Sequence, residues 1–130
     1  MMAVQDLRFI TSDIKESPRF FKTFVLDQRP VSARLLITGL GLYVAFINGR
    51  KAGDAYLAPG FNDYDGYLRY EDLDVTELLV EGENRIEVYL GNGWYKGRFG
   101  LMSICPLLLQ FCLLLLLLSH FSRVRLCATP

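Results

Sequence analysis

At 130 residues the chain has room for at most one domain. Its Lys and Arg number 14 and its Asp and Glu 14, so the formal net charge is zero, and nucleic acid, which needs a clustered basic surface, is not expected as a partner. The charge is unevenly spread: every acidic residue, and every Lys or Arg except Arg123 and Arg125, precedes Gly100, whereas Cys105, Cys112, Cys127 and the sole histidine, His120, follow it. Those cysteine spacings match neither a zinc site nor an obvious disulfide framework.

The N-terminal "MMAVQDLRFITSDIKESPRF" has no apolar run after a basic start. No secretory signal is therefore read there, and no compartment is assigned. Residues 1–16 form a lead-in. Beyond it a periodicity of two dominates. "FFKTFVL" predicts a strand over residues 20–26, stopped by the turn-rich "DQRP". "ARLLITGLGLYVAFING" predicts two short strands, 33–38 and 42–47, and Gly39 and Gly41 between them call for a bend or bulge rather than one long strand. Asn48-Gly49 is a hairpin signal, because a type I′ turn needs positive φ at both central residues. The return strand is expected at 51–57, stopped by Pro59-Gly60.

In "FNDYDGYLRYEDLDVTELLVEGENRIEVYL" a strand is expected at 67–73. Asp74 should cap a single helical turn at 76–79, with Glu77 reaching back as in a capping box. Gly82 should reverse the chain into a last strand at 85–90, whose Ile86, Val88 and Leu90 share a face. About six strands with frequent turns and one turn of helix predict an all-β chain: an antiparallel sandwich or jelly roll.

Several motifs in this body occur in a recognisable order: "GLGLY", "NG" with a basic pair, "GD", "LAPG", "DVTELL", "GEN" and "GNGWYKGR". The ordered set, over residues 17–101, resembles the N-terminal β-sandwich domain of bacterial α-L-rhamnosidases. The single pieces recur across galactose-binding-like jelly rolls. Two positions depart from the family pattern. Its usual Pro-Gly-Trp is Pro59-Gly60-Phe61 here, which keeps an aromatic ring but loses the indole donor, and its usual aromatic before the "DVT" unit is Leu73. The resemblance implies accessory work: such a sandwich lies upstream of a separate helical barrel holding the acidic catalytic residues, and some relatives of the sandwich bind rhamnose through calcium.

The chemistry-bearing residues support a binding role over a catalytic one. Glycoside hydrolysis normally needs two carboxylates at a set separation. The dense acidic cluster Asp63, Asp65, Glu71, Asp72 and Asp74 is better read as turn, cap and solvated strand positions, and no other catalytic set presents itself. "FNDYDGYLRYED" partly matches a calcium loop, with Asp63, Asp65, Gly66 and Asp72 in register, but Phe61 stands where a carboxylate is required. That excludes an EF-hand and leaves Asp63 and Asp65 as a looser calcium candidate; no other cofactor is expected. "GNGWYKGRFG" does not have phosphate-loop spacing. For an L-rhamnose-containing glycan, Trp94 and Tyr95 offer flat apolar faces, and Asn92, Lys96 and Arg98 offer hydrogen bonds to hydroxyls. The competing role for Trp94 is burial in the core. Asp54 and Tyr56 form a second, weaker group.

After Gly100 the character changes. Residues 99–118 carry no charge and are just long enough to span a hydrocarbon core, with Arg123 and Arg125 beyond. Pro106 interrupts them, so the anchor is poorly made and a membrane partner is not expected. "LLLLLLSHFSRVRLCATP" resembles instead a translated mammalian interspersed repeat, which implies a chimeric reading frame. The tail, 102–130, is thus expected to be unrelated to the sandwich, apolar and helical. It should leave an incomplete jelly roll with an open sheet edge and poor solubility. The expected function is a truncated accessory sandwich of a rhamnosidase-type enzyme, missing its catalytic domain and noncatalytic by itself. The alternative is a carbohydrate-binding protein tethered to a membrane by the leucine run.

Overall fold

The computed structural model describes residues 10, 12, 17–63, 66–95, 98–99, 102–103, 114–118 and 127–129. In chain order its strands are β1 (Arg19–Leu26), β2 (Arg34–Gly39), β3 (Leu42–Ile47), β4 (Arg50–Lys51), β5 (Glu71–Asp74), β6 (Gly82–Gly91), β7 (Arg98–Phe99), β8 (Met102–Ser103), β9 (Leu114–Leu118) and β10 (Cys127–Thr129). They form a five-stranded sheet, β10-β1-β6-β3-β4, a three-stranded sheet, β5-β2-β9, and a small β7-β8 hairpin. All pairings are antiparallel.

The alternation of the sequence explains the layers. On β6 every second residue, Asn84, Ile86, Val88 and Leu90, is buried; on β3 these are Tyr43, Ala45 and Ile47. Together with Phe20 and Leu26 of β1 and Leu35 and Ile37 of β2, they make one apolar core. β6 is the spine, bonded to β1 along its first eight residues and to β3 along its last six. The opposite face of that sheet is polar and aromatic. Glu87 pairs with Arg19 at 2.8 Å and also with Arg85, while the Arg19 guanidinium lies over the Tyr89 ring and that of Arg85 over Phe21.

The bend expected between the second and third predicted strands is the crossover between sheets: β2 belongs to one layer and β3 to the other. One buried side chain ties the layers back together. The Tyr43 hydroxyl, carried by β3, lies 3.0 Å from both the Ile37 carbonyl and the Glu71 carboxylate of the other sheet. Burial, and then the neighbouring Glu71 charge, raises its pKa above the ordinary 10.0. Above about pH 10 the unfolded chain releases this proton while the folded chain keeps it, so stability should fall as pH rises, by up to about 1.4 kcal/mol per pH unit. Tyr43→Phe is expected to cost about 1–2 kcal/mol at neutral pH and to flatten that alkaline slope, as read by urea unfolding at successive pH values.

Two predicted strands are shorter than expected. The return strand at 51–57 ends at Lys51, because Gly53 turns the chain at φ 75° against the side chain of Leu73; the segment rejoins the edge at Ala58, whose carbonyl accepts from the Tyr43 N–H. The strand at 67–73 begins only at Glu71. The capping reading is half right. Asp74 Oδ1 accepts from the Thr76 N–H at 3.0 Å, which holds its carboxyl below the usual range, and Thr76–Leu78 is a 3-10 turn. Glu77 does not reach back; its carboxylate takes a bond from Arg29 at 3.0 Å.

The largest departure lies in the tail. A helix was expected, yet Leu114–Leu118 pairs along β2, from Leu118 opposite Leu35 to Leu114 opposite Gly39, and Cys127–Thr129 pairs with Arg19, Phe20 and Phe21 of β1. Helix propensity is a weak prior. Without these segments β1 and β2 would each present a row of unpaired N–H and C=O groups, and an uncharged leucine run can satisfy such an edge without burying a polar side chain. The open edge expected from the sequence is thus covered along Leu35–Gly39 of β2 and along the first three residues of β1. Among the described residues no helix is long and apolar enough to cross a membrane. The positions on which the anchor reading turned, Pro106 among them, lie outside the described residues. Removing residues 104–130 should bare both edges at once. The expected outcome is self-association by light scattering and a lower urea midpoint; unchanged values would deny these strands any structural role.

Candidate functional site

The site is built around the start of β3. β6 ends at Gly91, and the chain turns through Gly93 at φ 54°. A Cβ at Gly93 would stand 2.9 Å from Leu42 Cγ and 3.0 Å from its backbone nitrogen, so only glycine lets this loop press onto the crossover. Trp94 follows immediately. The other wall comes from the Pro59-Gly60-Phe61 turn, held to the same end of β3 by the Tyr43–Ala58 bridge. The two rings meet edge to face, with centroids 6.2 Å apart and planes at 79°.

Both rings remain open to solvent, Trp94 by 39% and Phe61 by 65%. Trp94 is thus no core residue. Two perpendicular aromatic faces make a shallow apolar corner of the kind that stacks against the C–H face of a sugar. Sequence reasoning named each residue but did not pair them, since 33 positions separate 61 from 94. It also missed Asn62, which is buried behind Phe61 and whose Oδ1 accepts from the Arg69 N–H at 2.9 Å, fixing the loop.

The other candidates fall as follows. Asn92 is exposed and Tyr95 half-buried in the same loop as Trp94. Arg98 lies on β7, its backbone opposite Ser103. Asp54 belongs to a second group: its carbonyl accepts from Lys51 Nζ at 3.0 Å, and that ammonium lies 3.7 Å over the Tyr56 ring. Asp63 sits in a tight turn, its carbonyl accepting from Gly66 and Tyr67 N–H groups. Asp65 and Lys96 lie outside the described residues.

Among the described residues no three of His, Cys, Asp or Glu group as metal ligands. Asn62 Oδ1 is already taken by Arg69, and the buried atom there without a partner is Asn62 Nδ2, a donor that cannot serve a cation. Of the two candidate calcium ligands, Asp63 is described and Asp65 is not. The rest of the acidic cluster is engaged structurally: Asp72 pairs with Arg34 at 2.7 Å, Glu71 faces the Tyr43 hydroxyl, and Asp74 caps the turn.

Comparison with known proteins agrees with this architecture. The family model described as the α-L-rhamnosidase N-terminal domain matches residues 28–110. An α-L-rhamnosidase of Streptomyces avermitilis is 44% identical over 81 residues, which is 62% of this chain but 8% of the relative, and one of Formosa agariphila is 43% identical over 70 residues, 54% of this chain and 7% of the relative. The crystal structure of the α-L-rhamnosidase of Aspergillus terreus superposes with a TM-score of 0.73 at 40% identity, covering 88% of this chain and 14% of that one. The Streptomyces avermitilis enzyme complexed with L-rhamnose superposes with a TM-score of 0.73 at 30% identity, covering 88% and 12%. The chain therefore spans less than a tenth of the curated relatives it matches. With a β-sandwich in two layers and the ordered motifs in place, the chain belongs to the α-L-rhamnosidase N-terminal domain family.

Proposed function

We propose that this chain is a noncatalytic accessory sandwich of a rhamnosidase-type glycoside hydrolase, and that its aromatic corner binds a rhamnose-containing glycan weakly. The observation that carries the binding reading is the solvent-open, edge-to-face pair of Phe61 and Trp94. Asn92, Tyr95 and Arg98 follow in the same connection as polar and aromatic partners, and Asp54 belongs to an outlying group. The noncatalytic reading is supported by the structural engagement of Glu71, Asp72 and Asp74, three of the five carboxylates of that cluster, in roles other than acid and base. A catalytic domain elsewhere would be its partner.

Trp94 is the chain's one tryptophan, so its fluorescence reports on the corner directly. L-Rhamnose is expected to perturb that emission saturably, and Trp94→Ala should abolish calorimetric binding while changing stability by less than about 1 kcal/mol. An emission blind to rhamnose, or rhamnose release from an aryl rhamnoside by this chain, would overturn the proposal. Repeating the titration with calcium and then with a chelator tests whether Asp63 and Asp65 contribute an ion.

The division into lead-in 1–16, sandwich 17–101 and tail 102–130 belongs to the same proposal. The composition supports it: a charge-rich, cysteine-free body gives way to a leucine-rich tail that holds all the cysteines. In this reading the tail is foreign sequence recruited to the edges of β1 and β2. A transcript that crosses codon 101 without interruption in a bacterial genome would count against it.

A further inference from the structure

The Asn48-Gly49 turn poses a chemical problem that the binding reading does not touch. Asn-Gly is the dipeptide most prone to deamidation, because glycine leaves the following backbone nitrogen unhindered. The nitrogen of Gly49 attacks Cγ of Asn48; the N–Cγ bond forms, the Cγ–NH₂ bond breaks, and ammonia leaves with the proton that nitrogen gave up. Water then opens the cyclic imide to an aspartyl or isoaspartyl residue at position 48. Rotation of the Asn48 side chain onto its own backbone is the prerequisite.

In the fold that rotation is blocked. Asn48 Nδ2 donates to the Leu78 carbonyl at 2.9 Å and to Asn84 Oδ1 at 2.8 Å, and Asn48 Oδ1 accepts from the Arg85 N–H at 2.8 Å. The turn itself is set by φ of 52° and 77° at Asn48 and Gly49 and by the Asn48 N–H bond to the Arg85 carbonyl at 2.8 Å. All three side-chain bonds must break together before the amide can reach Gly49. The product, in turn, fits the fold poorly. A carboxylate at position 48 would face two acceptors, the Leu78 carbonyl and Asn84 Oδ1, with no proton to offer. An isoaspartyl residue would also lengthen the backbone inside a two-residue turn.

We infer that Asn48 is a modification site gated by folding: the native chain protects it, opening of the hairpin exposes it, and conversion, which is irreversible, weakens the hairpin on reclosing. The sandwich thereby carries a one-way record of unfolding.

The test uses the intact chain at one pH, incubated with and without denaturing urea, with conversion at each Asn-Gly followed by peptide mass spectrometry. Denatured chain should convert at Asn48 and Asn92 at similar rates. Native chain should convert at Asn48 at least about tenfold more slowly than denatured chain, a factor that an opening free energy of about 1.4 kcal/mol already supplies. Equal rates at Asn48 in the two states would overturn the inference. Asn48→Asp should fold with a lower melting temperature; an unchanged melting temperature would overturn the weakening. Asn84→Ser, at a temperature where circular dichroism still shows native sheet, should raise the native rate at Asn48 severalfold, and an unchanged rate would remove the network from the account.

Discussion

Asn84→Ala is expected to destabilise the sandwich by about 3–5 kcal/mol, a large part of the stability of an ordinary domain. Asn84 is fully buried at the start of β6, and every polar atom of its amide is used. Its Oδ1 accepts from the Val80 N–H at 2.9 Å and from Asn48 Nδ2 at 2.8 Å; its Nδ2 donates to the Val80 carbonyl at 2.6 Å and to the Gly82 carbonyl at 3.1 Å. Alanine removes all four bonds and leaves a small cavity. Val80 and Asn48 both lie at the surface and can recruit water, so the cost falls mainly on the buried site of Asn84 itself. Asn84→Asp should be nearly as harmful, since a carboxylate cannot donate to the Val80 and Gly82 carbonyls and would be buried without a cation. Urea unfolding followed by circular dichroism reads both. A loss below about 1 kcal/mol for Asn84→Ala would mean that water replaces the amide at little cost.

Gly41→Ala should be comparably severe, at about 3 kcal/mol or more, for a reason of sterics rather than hydrogen bonding. Gly41 lies in the two-residue crossover from β2 to β3, at φ 152°. A Cβ there would stand 2.3 Å from the carbonyl oxygen of Gly91, a backbone atom that cannot swing aside as a side chain can. Relief requires moving the end of β6 away from β3, and with it Gly93 and the loop that carries Trp94. The substitution should therefore lower the thermal midpoint and weaken any rhamnose response of Trp94 fluorescence together. A variant that is stable yet blind to rhamnose would separate the crossover's role in the site from its role in the fold. Wild-type stability would show that the sheets tolerate a wider crossover.

What could be read in advance divides by range. The Asn48-Gly49 hairpin and the cap at Asp74 were legible because the chain satisfies them within two or three residues. Glu77 was misread because the same carboxylate has a local option and a distant one, and Arg29, 48 positions away, takes it. The strand expected at 51–57 failed at Gly53, where contact with Leu73 of β5 outweighs the local preference to stay extended. The candidate site shows the same divide. Trp94 was singled out in a glycine-rich loop with sugar stacking and core burial both open, and its exposure, its neighbour Phe61 and the buried brace Asn62 became apparent only once the Ala58 segment was laid beside Tyr43.

Alternation of apolar and polar residues by itself determined β1, β2, β3 and β6, and the order of the short motifs determined the family; both depend on neighbours along the chain. Tertiary structure alone decided which layer each strand joins, which two rings form the corner, and that Leu114–Leu118 extends along β2 instead of coiling. A leucine run is apolar in every register and in either conformation, so its own pattern cannot choose. The unpaired backbone of a neighbouring strand can, because burying or exposing that edge costs more than the difference in leucine's intrinsic preference.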